Sequence, residues 1–175
     1  MPAALNLTLL NRAQRKIDND QLHAPGMHPV TYQPFLEEVD RFYAPFPPTV
    51  DALLQRWETQ EEKFRVLLIN EILQEPSESA RLRDAIVHEF CHLFCRHRGD
   101  FFFKIWQADE KLSLFDLHME RLQERQCAQL TAFFLVPRVA LVEARREGTG
   151  YVAGALDVPP YLIELRWDIW RKYGR

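Results

Sequence analysis

The chain is short of the features that mark membrane proteins and strongly charged binding proteins. Its uncharged stretches fall well below the roughly 20 apolar residues that a membrane helix needs. Its 175 residues carry a net charge of only −3, which gives no electrostatic reason to expect contact with a membrane surface or with nucleic acid. We therefore expect no membrane partner and no direct nucleic-acid binding.

Cysteine is scarce as well. The sequence has three cysteines, Cys91, Cys95 and Cys127, and this odd count does not suggest a disulfide framework. We expect them to pack as small apolar side chains, with redox control of a nearby site as the alternative. The N-terminus lacks the basic segment and the small-residue cleavage site of a signal peptide. Together these features favour a reducing compartment, and we expect a cytoplasmic protein.

What the sequence does contain is typical of a globular protein. Hydrophobic residues make up 47% of the chain and charged residues 27%, which suits one domain that can bury a core. We assign residues 1–150 to that domain and residues 151–175 to a C-terminal helical segment packed on it. The run "FRVLLIN", Phe64–Asn70, predicts a strand, and "TVDALLQRW", Thr49–Trp57, has helical spacing. The segment "FFFKIW", Phe101–Trp106, is either an aromatic strand or a loop.

The segment Ala80–His97 contains neither glycine nor proline and predicts a helix. Its apolar side chains fall on one broad arc at about 100° per residue. His88, Glu89 and His92 occupy an arc that overlaps the edge of this apolar face, so they should line a crevice beside the core. A partly desolvated metal ion would sit there.

The stretch "HEFCH", residues 88–92, has the spacing of a zinc site. Residues four apart on a helix project side by side, so His88 and His92 can both reach one zinc ion at about 2.0–2.1 Å. The intervening Glu89 can then address a water molecule and serve as a base rather than a ligand. Chance occurrence of the pattern is the alternative, and the assignment therefore depends on a third ligand.

His97 and Glu124 are the candidates for that third ligand. His97 does not fit the longer zincin pattern HExxHxxGxxH, because Cys95 replaces its glycine and the histidine comes one residue early. A histidine at the helix end or on the surface is its more ordinary assignment. Glu124 lies on a second predicted helix, Glu120–Pro137, on an otherwise mostly apolar face. A buried carboxylate is costly unless it is paired or bound to metal, so zinc binding by Glu124 competes with pairing to Arg121 or a solvent-facing position.

The two motifs together resemble those of the ImmA/IrrE metallopeptidases. The first is HExxH within "HEFCHLFCRH". The second is "ERQCAQLTAFFLVP", Glu124–Pro137, which is similar to the family pattern ExEANxFAxxLLMP. In this chain Gln126, Cys127 and Ala128 stand where the pattern has Glu-Ala-Asn. The resemblance extends over about Phe64 to Trp170 and is loose before that.

The resemblance implies both a fold and a site. The fold is α+β: a mostly helical zincin-like domain with a small β-sheet and two helices that flank a zinc ion, Zn²⁺. The zinc ligands are His88, His92 and Glu124, and Glu89 is the catalytic base. Apart from the resemblance, His118, Tyr43 and Tyr151 are candidates for stabilising the oxyanion that forms when a peptide carbonyl is attacked, with a packed or surface position as the more ordinary assignment of each.

We expect a zinc-dependent endopeptidase in which Glu89 accepts a proton from water and passes it to the leaving amine. The sheet edge before the zinc helix is the expected place for an extended substrate to add as a strand. The resemblance implies that this substrate is a helix-turn-helix transcriptional repressor, cut in a stress or mobile-element response.

Two other functions stay open. A non-catalytic zinc-binding regulatory or toxin–antitoxin partner would keep the same site and act by protein binding, and the altered "QCA" segment, residues 126–128, is compatible with it. A structural zinc domain is the third interpretation. The HExxH glutamate argues against it, because structural zinc sites usually close with four protein ligands.

Overall fold

The structure is a computed structural model, and it describes residues 5–37, 39–58, 63–97, 101–105 and 116–174. These residues form α-helices and a β-sheet, which confirms the α+β class. The chain divides into two compact units, a sheet unit of residues 32–118 and a helical unit of residues 1–31 and 119–175. The expected boundary between residues 150 and 151 stays a prediction.

The sheet unit is built on four strands: β1 Asp40–Ala44, β2 Val50–Glu58, β3 Lys63–Asn70 and β4 Phe101–Ile105. They pair in the order β1-β3-β2-β4. β1 is parallel to β3, whereas β2 is antiparallel to both β3 and β4. A helix, α2 Ser79–Cys95, packs against β2, β3 and β4. The sheet is therefore the platform that holds the helix with the HExxH motif.

The strand predicted at Phe64–Asn70 is confirmed as β3, and the aromatic segment that follows α2 is a strand, β4. Trp106, the last residue of that aromatic segment, lies outside the described residues. β3 runs inside the sheet between β1 and β2. β3, the strand directly before α2, is therefore not an edge strand, because in the described part of the chain the edge strands are β1 and β4. Substrate addition at a sheet edge stays a prediction.

The helical spacing of Thr49–Trp57 is misleading, because Val50–Glu58 forms β2. β2 pairs with β3 on one side and with β4 on the other. Its Ala52 and Leu54 are buried. Hydrogen bonds to two neighbouring strands and this burial outweigh the weak intrinsic helix preference of alanine, leucine and glutamine.

Polar contacts fix the start of α2 to β2 and to the turn that precedes it. The Nη2 atom of Arg81 lies 2.6 Å from the fully buried Asp51 carboxylate and also donates to the carbonyl of Pro48 at 2.6 Å. The side chain of Asn70, at the end of β3, donates to the carbonyl of Val50 at 2.8 Å. These bonds tie the proline-rich turn to the sheet and determine where α2 begins.

The helical unit contains α1 Leu7–Asn19, most of α3 Asp116–Leu135, α4 Arg138–Glu147, α5 Thr149–Leu156 and α6 Pro160–Tyr173. α3 confirms the helix predicted for Glu120–Pro137. α4, α5 and α6 contact one another, and residues 151–175 are mostly helical, as predicted. In the part of the chain that is described, no single helix is long and apolar enough to span a membrane; α3 and α4, bent by 85°, reach that length and composition only when counted together.

Two basic side chains, the half-buried His23 and the buried Arg166, bind the carbonyl groups at the C-terminal end of α3. The Nε2 atom of His23 lies 2.8 Å from the carbonyl oxygen of Phe134, and the Nε–H of Arg166 donates to the carbonyl of Val136 at 3.0 Å. The Arg166 guanidinium also lies over the ring of Phe133 at 4.5 Å. Burial lowers the pKa of His23 below its usual value and lowers the pKa of Arg166 to about 10. These side chains have a structural role, because each hydrogen-bonds a carbonyl at the helix end, where the last carbonyl groups have no N–H partner within the helix.

Candidate metal centre

Three ionisable side chains are buried side by side on α2. His88, Glu89 and His92 are 2%, 1% and 0% exposed, respectively. The ring centroids of the two histidines lie 5.3 Å apart, as expected for neighbouring turns of one helix. Burial of such groups is costly unless each is compensated by a partner. This stretch is therefore the strongest candidate site in the described residues.

A fourth ionisable side chain lies on α2 and forms a row with His88, Glu89 and His92. Asp84 is fully buried and precedes His88 by one helical turn, which places it on the same face of α2. It is not part of the HExxH motif. Its spacing four residues before His88, in the otherwise apolar run "DAIVH", is the signal in the sequence that would have indicated it.

His92 is held between an aromatic ring and a second imidazole. The ring of Phe102 stacks on it, with centroids 4.2 Å apart and planes inclined by 27°. On another side, the Nδ1 atom of His97 lies 3.1 Å from the Nδ1 atom of His92, within hydrogen-bonding distance. Since Phe102 belongs to β4, an edge strand of the sheet contributes directly to the site.

The turn that ends α2 brings His97 onto His92. Arg96 has a left-handed backbone with φ of 55°. The N–H of Arg96 donates to the carbonyl of Leu93 at 3.0 Å, and the N–H of His97 donates to the carbonyl of His92 at 3.1 Å. These are the two bonds of a Schellman motif. His97 is consequently buried at the helix end, so the helix-end assignment is correct and the surface assignment is wrong.

This turn is hard to predict from the sequence. The left-handed position of a Schellman motif is usually occupied by glycine, and here it is arginine. An L-residue in this conformation costs roughly 1–2 kcal/mol. The surrounding contacts must offset that cost, and one of them is the hydrogen bond that the Arg56 side chain donates to the carbonyl of His97.

One group of metal-ligating side chains stands out among the described residues. The donor atoms of His88, His92 and Cys127 all lie within 4.8 Å of one another, and all three residues are buried. This group could hold a metal ion. Glu124, the third ligand expected from the sequence, precedes Cys127 by one helical turn on α3, is half-buried and is not part of the group. Its role as a ligand stays a prediction.

The donor set suits a transition metal better than calcium or magnesium, which prefer oxygen ligands. Imidazole nitrogen and thiolate sulfur are both zinc ligands, and three protein ligands leave one position of a tetrahedral site for water or substrate. The residues present therefore fit a transition-metal ion such as zinc. The three cysteines, all within the described residues, are not joined by a disulfide.

The candidates for oxyanion stabilisation are less well supported. Tyr43 is exposed on the edge strand β1, and Tyr151 is exposed on α5. The side chain of His118 lies outside the described residues. Their roles stay predictions.

No family model, no curated protein and no solved structure matches this chain. The resemblance to the ImmA/IrrE metallopeptidases therefore rests on the two sequence motifs alone and stays a prediction.

Proposed function

We propose that this chain is a zinc-dependent endopeptidase of the HExxH type, similar to the ImmA/IrrE metallopeptidases. The observation that carries the proposal is the complete burial of His88, Glu89 and His92 on neighbouring positions of α2. A helix with a purely structural role would gain by placing apolar residues there, because buried ionisable groups lower stability unless they are compensated. A bound cation compensates all three at once.

The ligands would be His88, His92 and one side chain from α3. The resemblance assigns that third position to Glu124, and the grouping of donor atoms favours Cys127. When bound, zinc would supply a Lewis acid that polarises the scissile carbonyl and acidifies water.

The remaining chemistry falls to Glu89. It lies between the two histidines in the sequence and is 1% exposed, so its carboxylate is shielded from bulk water. An ionised Glu89 can accept a proton from the attacking water and then donate it to the leaving amine. Because Glu89 would act as a base and not as a ligand, its loss should affect the reaction far more than zinc binding.

The proposed substrate is a helix-turn-helix transcriptional repressor in the same cytoplasm, as the resemblance implies. An extended segment of it could add to an edge strand of the sheet. β4 is the better placed of the two described edge strands, because its Phe102 contacts His92. Cleavage of the repressor would release stress or mobile-element genes.

The test is a cleavage assay with Glu89→Gln, which keeps the shape of the side chain but removes its basicity. The purified protein is mixed with a helix-turn-helix repressor encoded next to its gene, and the size of the repressor is followed over time. At equal zinc content, the variant should cleave about 10²–10⁴-fold more slowly than the wild type. Glu164→Gln, the same change at an exposed position of α6, is the matched control and should cleave normally.

The same assay separates the enzyme from a partner that acts only by binding. If the wild type and Glu89→Gln bind the repressor equally and neither cuts it, the peptidase proposal is wrong and the binding function takes its place.

A further inference from the structure

We infer that His97 is a positioning residue for His92, which it holds in the tautomer and orientation that zinc binding needs. The inference rests on the proposed function, since it assumes that His92 is a zinc ligand. Its structural basis lies within the sheet unit and consists of the 3.1 Å contact between the two Nδ1 atoms, the burial of both rings and the turn that ends α2.

The contact restricts which ring nitrogen of each histidine carries a proton. A hydrogen bond between two Nδ1 atoms requires that one of them carries a proton and the other does not. If His92 binds zinc through Nε2, its Nδ1 keeps the proton and donates it to the Nδ1 of His97. His97 is then a neutral acceptor with its own proton on Nε2. Metal-binding histidines commonly donate their second ring N–H to a carboxylate, a carbonyl or water, and here an imidazole takes that place.

The backbone positions His97 for this task with little dependence on its side chain. The Schellman motif fixes its main chain through the N–H bond to the carbonyl of His92. Arg56 of β2 fixes the other side of the same residue by donating to its carbonyl oxygen. The Arg56 guanidinium also lies 5.4 Å from the ring centroid of Phe102. Arg56 thus contacts both Phe102 and His97, and each of these two residues contacts His92.

A matched pair of variants tests the role of the acceptor. His97→Asn places a carbonyl oxygen about where the Nδ1 atom stands, whereas His97→Leu has nearly the same shape as asparagine and no acceptor. Zinc affinity of the full chain is measured by competition with a zinc-binding dye. We expect His97→Leu to lower the affinity about 10–100-fold, the usual effect of losing the partner of a metal-bound histidine. His97→Asn should recover most of that loss, and His28→Leu, at an exposed histidine, should change nothing.

A second measurement reads the tautomer directly and does not depend on the folding of any variant. Long-range ¹⁵N–¹H spectra of the zinc-loaded wild type should show His92 with its proton on Nδ1 and His97 with its proton on Nε2. The Co²⁺-substituted protein should have the same visible spectrum in the wild type and in His97→Asn, because the ligands themselves are unchanged.

Several results would overturn the inference. One is equal zinc affinity in wild type and His97→Leu; another is a proton on Nε2 of His92 in the zinc-loaded protein. A Co²⁺ spectrum that changes in His97→Asn as much as in His92→Ala would make His97 a ligand instead. Failure of the wild type to bind zinc at all would contradict the proposed function itself, and so the two failures are distinguishable.

Discussion

A histidine lies at the C-terminal end of each of α2 and α3, but the two histidines have different partners. At the end of α3, His23 contacts a main-chain carbonyl, that of Phe134, and Arg166 does the same for Val136. At the end of α2, the main chain closes its own turn, and His97 contacts the side chain of His92. The first arrangement completes the hydrogen bonding of a helix, and the second orients an imidazole.

This difference shows how the role of a buried histidine can be inferred from its partner. A histidine bound to a carbonyl satisfies the backbone, so its removal should reduce stability. A histidine bound to another histidine, next to Glu89 and His88 on α2, should affect the metal affinity of that site. The predictions below use this contrast.

The largest effect is expected from the ligands on α2. His88→Ala and His92→Ala should each abolish the binding of about one zinc per chain, because each removes a ligand. His23→Ala should keep the zinc and instead lower the free energy of unfolding by about 1–3 kcal/mol, because a buried carbonyl loses its donor. Elemental analysis gives the zinc content and urea unfolding gives the stability. Full zinc occupancy in both α2 variants would contradict the site.

A smaller but still large effect should identify the ligand on α3. We expect Cys127→Ala to weaken zinc binding by more than about tenfold and to remove a thiolate-to-cobalt charge-transfer band from the Co²⁺ form. Glu124→Ala is compared with Glu120→Ala, one turn earlier on the same helix. If Glu124→Ala has the stronger effect and the charge-transfer band is missing from the wild type, the ligand implied by the resemblance is the correct one.

The structural role of Arg166 predicts an effect on stability alone. Arg166→Leu leaves the carbonyl of Val136 without this donor and should lower the free energy of unfolding by about 1–3 kcal/mol, with zinc binding unchanged. Arg171→Leu, at a position on the same helix that is 67% exposed, should have little effect. Equal stability of the two variants in urea would contradict the structural role of Arg166.

The smallest expected effect is a dependence of stability on pH. Burial keeps the pKa of His23 in the folded chain below its usual value of 6.5, so between these two pKa values the unfolded chain binds more protons than the folded one. Stability is therefore fully present above pH 6.5 and declines as the pH falls through the lowered pKa. Melting temperatures from pH 7.5 to 5.5 should fall less steeply in His23→Gln than in His28→Gln. Identical slopes of melting temperature against pH in the two variants would argue against a lowered pKa of His23.

The helix of the site was predictable from the sequence, whereas its surroundings were not. The absence of glycine and proline and the apolar arc of Ala80–His97 identified α2, and HExxH identified the ionisable row. The stacking of Phe102 on His92 depends on a strand pairing between segments far apart in sequence, which local patterns do not encode. The contact of His97 depends on a left-handed arginine, which the residue type disfavours.

β2 shows the opposite case, in which a local pattern pointed the wrong way. Its spacing of leucines is compatible with a helix, and only its pairing with β3 and β4 makes it a strand. The preference of a segment for the strand state depends strongly on such neighbours. The same neighbours decide that β3 is interior, and so the position of the sheet edges could not be derived from the order of the elements alone.

The strand order also sets a sequence of events for a chain emerging from the ribosome. β2 and β3 are close in sequence and antiparallel, so they can pair as a hairpin within about 1–10 μs. β4 must instead find β2 across a long intervening segment, as in the pairing of Leu54 with Phe102, and this closure costs more entropy. The histidines of α2 are also synthesised before Phe102. The nascent chain therefore presents His88 and His92, two of the three side chains that could hold a metal ion, before Phe102, whose ring will stack on His92, has been synthesised.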